Sequence, residues 1–297
     1  MAARIGIRKE DKSPWERRVP LAPDHVERLV AEGLEVVVQP SSRRVFTDEQ
    51  YRDAGATLSD DLSGAATVFA VKEIPTRLFE PGKTYVYFAH VIKGQPYNMP
   101  MLRALCERRC TLIDYERVAD EAGRRLILFG RHAGLAGMID SLWTLGRKLD
   151  SEGHKTPYAS IEPAHRYDGL EAAKAAVRTV GERIERDGLP DGLTPMVFGF
   201  AGYGNVSLGA QEIFDLLPHR EVSPEDLGVA AAGAGTLIKV VFKEENMVVR
   251  REDAGSFDLQ EYYGHPERYR GDFARHMPHL TVLMNCIYWA PQYPRLV

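Results

Sequence analysis

The sequence predicts an α/β protein made of two lobes, each built around a parallel β-sheet of the Rossmann type. Short apolar runs alternate with amphipathic helical stretches along the chain, which is the pattern of β-α-β units. A glycine-rich turn in the second half follows an apolar strand directly and opens a helix. The chain has 297 residues, and at roughly 150 residues per domain this length predicts two domains.

The first lobe is predicted over residues 1–133 and is expected to form one open α/β layer. Its helices at residues 24–32 and 48–54 each end at a glycine, Gly33 and Gly55, as helices commonly do. Its strands are short runs rich in β-branched or aromatic residues. They are predicted at residues 4–8, 35–39, 67–71, 84–89, 111–114 and 126–129.

The second lobe is predicted over residues 134–297. It opens with a long apolar helix, in which Gly134 and Gly137 would allow close packing on a neighbouring element. A periodic helix at residues 171–186 is stopped by the breaker sequence DGLP. Strands are predicted at residues 196–200, 219–222 and 281–284.

Composition and charge exclude several classes of protein. The chain is 44% hydrophobic and 27% charged, which excludes an intrinsically disordered protein or a coiled-coil rod. Lys and Arg number 38 against 42 Asp and Glu, so the net charge is −4. This balance argues against a nucleic-acid partner bound by phosphate neutralisation. No apolar run approaches the roughly 18 residues of a membrane span.

The cysteines and histidines indicate neither a disulfide framework nor a metal site. Three cysteines without a CxxC pair fit neither case, and no two of the nine histidines show a ligand spacing. Cys106 and Cys110 lie one turn apart in a predicted helix, so we expect buried thiols. The first residues lack the apolar core of a signal peptide. We therefore expect a cytoplasmic protein without metal.

The glycine-rich turn predicts a dinucleotide site. Gly202 would make the tight turn and Gly204 would let the pyrophosphate approach the backbone, while small Ser207 stands in place of the usual third glycine. The following helix would offer its N–H groups to the phosphates. The alternative is a plain β-α turn. The predicted contacts are Gly202, Tyr203, Gly204, Asn205, Val206 and Ser207.

The acidic residue that would bind the ribose of NAD is less clear. It is expected about 20 residues further on, near the strand at residues 219–222. Glu221, Glu225 and Asp226 lie nearby, but none falls at the strand end. The absence of an acidic residue at the strand end favours NADP(H) as the cofactor, and NAD(H) remains an alternative.

Polar residues follow several predicted strands, where ligands collect in open α/β sheets. Lys72 and Glu73 follow residues 67–71, His90 follows residues 84–89, and Glu116 lies just past residues 111–114. Asn285 and Cys286 end the last strand of the second lobe. Together they resemble an active-site inventory. Taken singly, Lys72 is more often a solvated lysine, His90 a core histidine, and each glutamate a salt-bridge partner.

These motifs, in this order, resemble one family over essentially the whole chain. The family is saccharopine dehydrogenase (lysine-forming), above all the lysine–2-oxoglutarate reductase domain of aminoadipic semialdehyde synthases, within the wider alanine dehydrogenase and transhydrogenase alpha group. The motifs are residues 16–23 (ERRVPLAP), 71–75 (VKEIP), 88–90 (FAH), 112–116 (LIDYE), 123–125 (GRR), 129–137 (FGRHAGLAG), 202–207 (GYGNVS) and 285–288 (NCIY).

The resemblance implies two lobes flanking a cleft and the NADP-dependent condensation of L-lysine with 2-oxoglutarate, followed by reduction to saccharopine. It implies that Lys72 and His90 are the acid–base pair, and that Glu73 and Glu116 tune their pKa values. Arginines bind carboxylates in a planar, bidentate way. The implied substrate-binding residues are Arg18, Arg124, Arg125 and, less securely, Gln95.

Family members continue beyond the NCIYW strand, whereas this sequence stops at Val297. Relative to the family the fold is thus expected to be truncated, with apolar surface left uncovered and a C-terminal partner segment or a homo-oligomer needed for full activity. Two other functions stay open. One is an alanine-dehydrogenase-like reductive aminase of another 2-oxo acid, and the other is a catalytically silent nucleotide-binding fragment.

Overall fold

The computed structural model describes residues 3–231, 237–251 and 255–297. The chain divides into two compact units, Met1–Leu128 and Phe129–Val297. The division falls slightly before the predicted boundary at residue 133, because the long helix of the second unit already begins at Gly130. Within the described ranges, no helix is both long enough and apolar enough to cross a membrane.

The first unit is a six-stranded parallel sheet with the order β3-β2-β1-β4-β5-β6. β1 lies inside this sheet, where β2 and β4 pair with it in parallel, and it is buried along most of its length. The strands are β1 (Arg4–Ile7), β2 (Glu35–Val38), β3 (Thr57–Leu58), β4 (Thr67–Phe69), β5 (Thr84–Tyr87) and β6 (Thr111–Asp114). The helices are α1 (Pro23–Ala31), α2 (Asp48–Asp53) and α3 (Met99–Glu107).

The two larger apolar clusters of this unit join its helices to its sheet. One joins α1 and α2 to β1 and β2 through Val26 and Tyr51, and the other joins α3 to β4 and β5 through Leu105 and Tyr85. Because all six strands are parallel, β1, β4, β5 and β6 end next to one another at one edge. That edge carries the candidate residues of the first unit.

The second unit contains a four-stranded parallel sheet with the order β12-β7-β9-β8 and a separate antiparallel pair, β10 and β11. Its strands are β7 (Met196–Ala201), β8 (His219–Val222), β9 (Leu237–Phe242), β10 (Val248–Arg250), β11 (Tyr269–Gly271) and β12 (Val282–Asn285). Its helices are α4 (Gly130–Ser151), α5 (Leu170–Asp187), α6 (Asn205–Phe214), α7 (Leu227–Ala231), α8 (Glu244–Met247) and α9 (Leu259–Gly264).

Helix α4 packs on α6 at two glycines. A Cβ at Gly134 would overlap the carbonyl oxygen of Val206, and a Cβ at Gly209 would overlap that of Arg131. The backbones of the two helices can approach this closely only because both positions lack a side chain. The prediction of close packing is confirmed for Gly134. A Cβ at Gly137 would meet only the methyl group of Met284, at 3.8 Å.

Three details differ from the sequence-based expectations. Residues 126–129 form no strand, since the N–H of Leu126 donates to Val118 and Leu126 is 61% exposed. The sequence predicts no strand at β3, β9, β10 or β11, and β8 lies at the edge of its sheet beyond β9. Cys106 is exposed rather than buried, and Cys110 falls outside α3, which ends at Glu107.

Candidate functional site

The carboxyl edge of the first sheet brings Glu73 and His90 together, as the strand-end argument predicts. Glu73 follows β4 and His90 follows β5, its neighbour in the sheet. Oε1 of Glu73 lies 3.1 Å from Nδ1 of His90, and Oε2 lies 2.6 Å from the ammonium nitrogen of Lys12. The Glu73 carboxyl is therefore held between two nitrogen groups.

This arrangement keeps Glu73 ionised and orients the imidazole. Burial would raise the pKa of Glu73, but the Lys12 ammonium group, the backbone of Glu73 and the hydrogen bond with His90 outweigh that effect and lower it. A carboxylate accepts hydrogen bonds, so Nδ1 of His90 must carry the proton that it donates. Nε2 is then left to accept or release a proton.

The backbone of His90 has an unusual conformation. Its φ of 56° and ψ of 16° are left-handed, which is uncommon for a residue with a side chain. His90 begins a 3₁₀ turn over Val91–Lys93, and its ring stacks on Phe88 with the planes 19° apart. Conformations of this kind concentrate at functional sites, where the surroundings must impose them.

Lys72 directly precedes Glu73 in the sequence, and its side chain is half-buried. Its backbone N–H donates to Oε2 of Glu10 at 3.0 Å, and that of Val71 donates to Oε1 at 2.7 Å. Among the residues described, the Lys72 ammonium forms no ion pair within 4.0 Å. The peptide that carries Lys72 is thus fixed, while its amine remains available.

Glu116 belongs to a second charged group at the same edge. It follows β6, and its Oε1 lies 3.4 Å from a guanidinium nitrogen of Arg125 and 3.6 Å from the ammonium nitrogen of Lys93. Its Oε2 is buried and has no hydrogen-bond partner within the described ranges. The structure places Glu116 with Arg125 and Lys93, and shows no hydrogen bond from it to the Glu73–His90 pair.

The other predicted substrate-binding residues each form a hydrogen bond with a residue close to them in the sequence. Arg18 forms a bidentate pair with Glu16, at 2.8 and 2.6 Å, and Arg124 binds Asp120 at 2.7 Å. The amide oxygen of exposed Gln95 accepts a hydrogen bond from Tyr97 at 3.0 Å. Their role in binding substrate stays a prediction.

Sequence reasoning missed Glu10, Lys12 and Glu16 as site residues, although Glu16 begins one of the quoted motifs. All three come from residues 8–16, which follow β1. Because this segment follows a strand of the same sheet, the strand-end argument could have found it. Burial would raise the pKa of Glu16, but the hydrogen bonds from Arg18 outweigh it and lower that pKa.

In the second unit, the glycine-rich turn joins β7 to α6. Gly202 has a φ of +94°, which favours glycine, and a Cβ there would lie 3.2 Å from Ile287. Gly204 is the N-cap of α6, and a Cβ there would meet nothing within 4 Å. The space beside Gly204, at the start of α6, is therefore open, as the approach of a pyrophosphate would require.

The other predicted cofactor contacts surround this turn. Ser207 is fully buried, and its hydroxyl oxygen accepts a hydrogen bond from Gln211 at 2.9 Å, so its small size serves packing. Asn285 ends β12 opposite Ala201, and the N–H of Cys286 donates to the Ala201 carbonyl at 3.0 Å. Burial raises the pKa of Cys286 to about 11. Its thiol is therefore a packing group.

The strand order moves the expected ribose position. β7 lies between β12 and β9, and the N–H of Gly202 donates to the carbonyl of Phe242 at the end of β9, whereas the sequence-based expectation places the ribose-binding acid near β8. Lys243 and Glu244 follow β9 directly. Tyr263 donates to Glu244 at 2.8 Å, and the Glu244 carboxylate raises the pKa of Tyr203. Within the part of the chain that the structure describes, no group of three or more His, Cys, Asp or Glu could hold a metal ion.

Known proteins resemble this chain over its whole length. Residues 6–136 match the family model described as "Alanine dehydrogenase/PNT, N-terminal domain". The alpha-aminoadipic semialdehyde synthase, mitochondrial, of Bos taurus is 41% identical over 297 residues, which cover 99% of this chain and 32% of that protein. The saccharopine dehydrogenase [NAD(+), L-lysine-forming] of Neurospora crassa is 33% identical over 68% of this chain and 55% of that protein.

A solved L-alanine dehydrogenase has the same fold. It superimposes on 81% of this chain and 61% of its own with a TM-score of 0.50 and 18% identity, which bears on the fold alone. The chain spans about a third of the length of the cattle relative. The identity with that relative, over nearly all of this chain, agrees with the motifs and with the fold. The chain belongs to the aminoadipic semialdehyde synthase family, within the wider group that includes alanine dehydrogenase.

Proposed function

We propose that the protein carrying this chain is an NADP-dependent oxidoreductase of lysine catabolism. It would condense L-lysine with 2-oxoglutarate and reduce the product to saccharopine. The observation that carries the proposal is the hydrogen bond between Glu73 and His90, at the sheet edge where Lys72 has no ion-pair partner among the described residues. The family membership supports the substrate class.

The proposed reaction needs proton transfers that these residues can perform. The ε-amine of lysine loses a proton and attacks the keto carbon, and the carbinolamine loses water to give an imine. When bound, NADPH supplies the hydride that reduces the imine carbon. Nε2 of His90 and the amine of Lys72 would move the protons, since general acids and bases must lie within hydrogen-bond reach of the reacting groups.

The substrate carboxylates would be bound by arginines of the first unit. Arg18 and Arg125 are each about half exposed, and each already contacts a carboxylate, Glu16 or Glu116. A substrate carboxylate can replace such a partner, because a guanidinium group binds a free carboxylate in the same planar way. Arg124 and Gln95 would assist from the more exposed loops. The first unit would thus bind substrate and the second would bind the nucleotide.

The end of β9 supports the choice of NADP(H) over NAD(H). Lys243 is exposed there and has no ion-pair partner among the described residues. Glu244, the acid that could bind the hydroxyl groups of a ribose, already accepts a hydrogen bond from Tyr263. The Lys243 ammonium group could bind the 2′-phosphate of NADP, whereas Glu244 is already hydrogen-bonded and would repel that phosphate.

We also propose a cytoplasmic location, although the name of the cattle relative places that protein in mitochondria. Cell fractionation with an antibody against this chain tests the location directly.

Oxidation of NADPH by the protein that carries this chain, followed by its absorbance, tests the function. We expect turnover that requires both L-lysine and 2-oxoglutarate. Turnover with ammonia and pyruvate would support the alanine-dehydrogenase-like alternative instead. Nucleotide binding without turnover on any of these substrates would support the silent alternative.

Two variants test the nucleotide site by calorimetric titration. Gly204→Val should abolish NADPH binding while leaving the melting temperature nearly unchanged, since the added side chain would enter space that the protein leaves open. Lys243→Ala should weaken NADPH about tenfold, or about 1.4 kcal/mol, and leave NADH affinity unchanged. Equal losses for both nucleotides would contradict the role given to Lys243.

A further inference from the structure

Glu10 has no role in the function proposed above, yet its carboxylate joins two strand ends of the first sheet. It lies three positions beyond the end of β1, and its two oxygens accept hydrogen bonds from consecutive backbone amides, Val71 at 2.7 Å and Lys72 at 3.0 Å. These amides lie just beyond β4, the strand paired with β1.

The amides of Val71 and Lys72 lie where the β-ladder has ended. The last ladder-type bonds here join the N–H of Ala70 to Val86 and the N–H of Phe88 to the carbonyl of Val71. Val71 is buried and Lys72 is half-buried, and backbone donors in such places need a partner. Glu10 satisfies both donors and so determines the path of the chain into Lys72 and Glu73.

The two amides offset the cost of burying this carboxylate only in part. Burial raises the pKa of Glu10, and the two amides and the charge of Arg8 act against that rise, whereas Glu16 adds to it. The same short segment also supplies Lys12, whose ammonium group lies 2.6 Å from Glu73. Residues 10–12 therefore contact both the backbone of Lys72 and the side chain of its neighbour.

We propose that Glu10 is a positioning residue for the acid–base site: by accepting the amides of Val71 and Lys72, it holds the Lys72 amine in register with the Glu73–His90 pair. The inference rests on the proposed function for its kinetic consequence, but its structural part can be measured without any activity. Glu10 itself touches no reacting atom.

The decisive variant is Glu10→Gln, which keeps the shape but replaces one acceptor oxygen with an N–H₂ donor. That donor would face a backbone N–H, so one of the two hydrogen bonds must break. The matched control is Glu35→Gln, because Glu35 pairs with Arg4 at the opposite end of β1. Both are studied in the protein that carries this chain.

Two measurements are compared. Hydrogen–deuterium exchange of a peptide covering residues 70–74 should become faster in Glu10→Gln and stay unchanged in Glu35→Gln. With L-lysine, 2-oxoglutarate and NADPH, kcat should fall about 100-fold in Glu10→Gln, the size expected for a misplacement of about 1 Å. The Kd for NADPH should not change, since the nucleotide residues belong to the other unit.

Each outcome bears on the proposal. Unchanged exchange at residues 70–74 would show that Glu10 does not hold this backbone. Faster exchange with undiminished kcat would show that the bonds exist but do not position the amine. Absence of turnover in the unmodified protein would overturn the proposed function, while the exchange data would still decide the structural part. If Glu10→Gln does not fold, Glu10→Asp is used, and its shorter carboxylate should likewise speed exchange and lower kcat.

Discussion

Oε1 of Glu73 and Nδ1 of His90 lie 3.1 Å apart, although 17 residues separate them in the sequence. The contact exists because β4 and β5 are neighbouring parallel strands and each residue follows the end of its strand. The contact favours the tautomer of His90 that carries its proton on Nδ1. The ionised carboxylate therefore lies at Nδ1, and Nε2 is the nitrogen that would face a substrate.

Replacing either partner of this pair should lower turnover. We expect His90→Gln to reduce kcat about 100- to 10,000-fold, the usual cost of losing a general acid or base. Glu73→Gln should cost less, because the amide oxygen of glutamine can still accept the hydrogen bond from Nδ1 and keep the proton on that nitrogen. Steady-state kinetics with L-lysine and 2-oxoglutarate measure both.

The control for these variants is Glu80→Gln, which removes a carboxylate of the same unit that pairs with Lys83 at 2.7 Å. Glu80→Gln should leave kcat unchanged. The affinity for NADPH should be unchanged in all three variants. Near-normal kcat in His90→Gln would show that His90 is not the acid–base group.

The stability given by Glu73 should depend on pH in a defined window. Its pKa is lowered from an ordinary value of 4.5 by its bonds to Lys12 and His90, which outweigh burial. A group of this kind stabilises the folded state above its unfolded pKa, and this contribution is lost as the pH falls through the lower folded pKa. The melting-temperature difference between the unmodified protein and Glu73→Gln should persist at neutral pH and shrink only below about pH 4.5. A difference that vanishes already between about pH 7 and pH 5 would contradict the assignment.

The helix contact at Gly134 predicts opposite effects for two neighbouring alanine substitutions. Gly134→Ala should destabilise the protein by about 1–3 kcal/mol or more, because its methyl group would overlap a backbone oxygen that cannot move away. Gly137→Ala, where the nearest atom would be 3.8 Å away, should stabilise it by about 0.5–1 kcal/mol. Urea unfolding measures both. Similar free energies of unfolding for the two variants would show that α4 and α6 do not meet as described.

Thiol reactivity should single out one cysteine. Cys106 is exposed, whereas burial raises the pKa of Cys286 to about 11 and also raises that of Cys110. A thiol reagent near pH 8 reacts with the thiolate. We therefore expect one fast reaction, absent in Cys106→Ser, with Cys286 reacting only after unfolding. Fast labelling of Cys286 in the folded protein would show that its site is open.

The sequence by itself determined the class of fold, the glycine turn and most of the strand-end residues. Periodicity and turn residues act locally, so they predict β1, β7 and the turn at Gly202 from neighbouring residues alone. Parallel strands also end at a common edge, and this is why Glu73 and His90 could be expected together before any contact was known. The chain's membership of its family follows from the same motifs.

Only the tertiary structure decided which strands are neighbours and which charges pair. Strand order places β9 beside β7, and this is why the ribose position is proposed at Lys243 and Glu244, although β8 comes first in the sequence. Likewise, no local pattern shows that Glu10 accepts the amides of Val71 and Lys72, 61 and 62 residues away. Such contacts depend on where buried donors are left without a strand partner, and that is determined only when the whole sheet has formed.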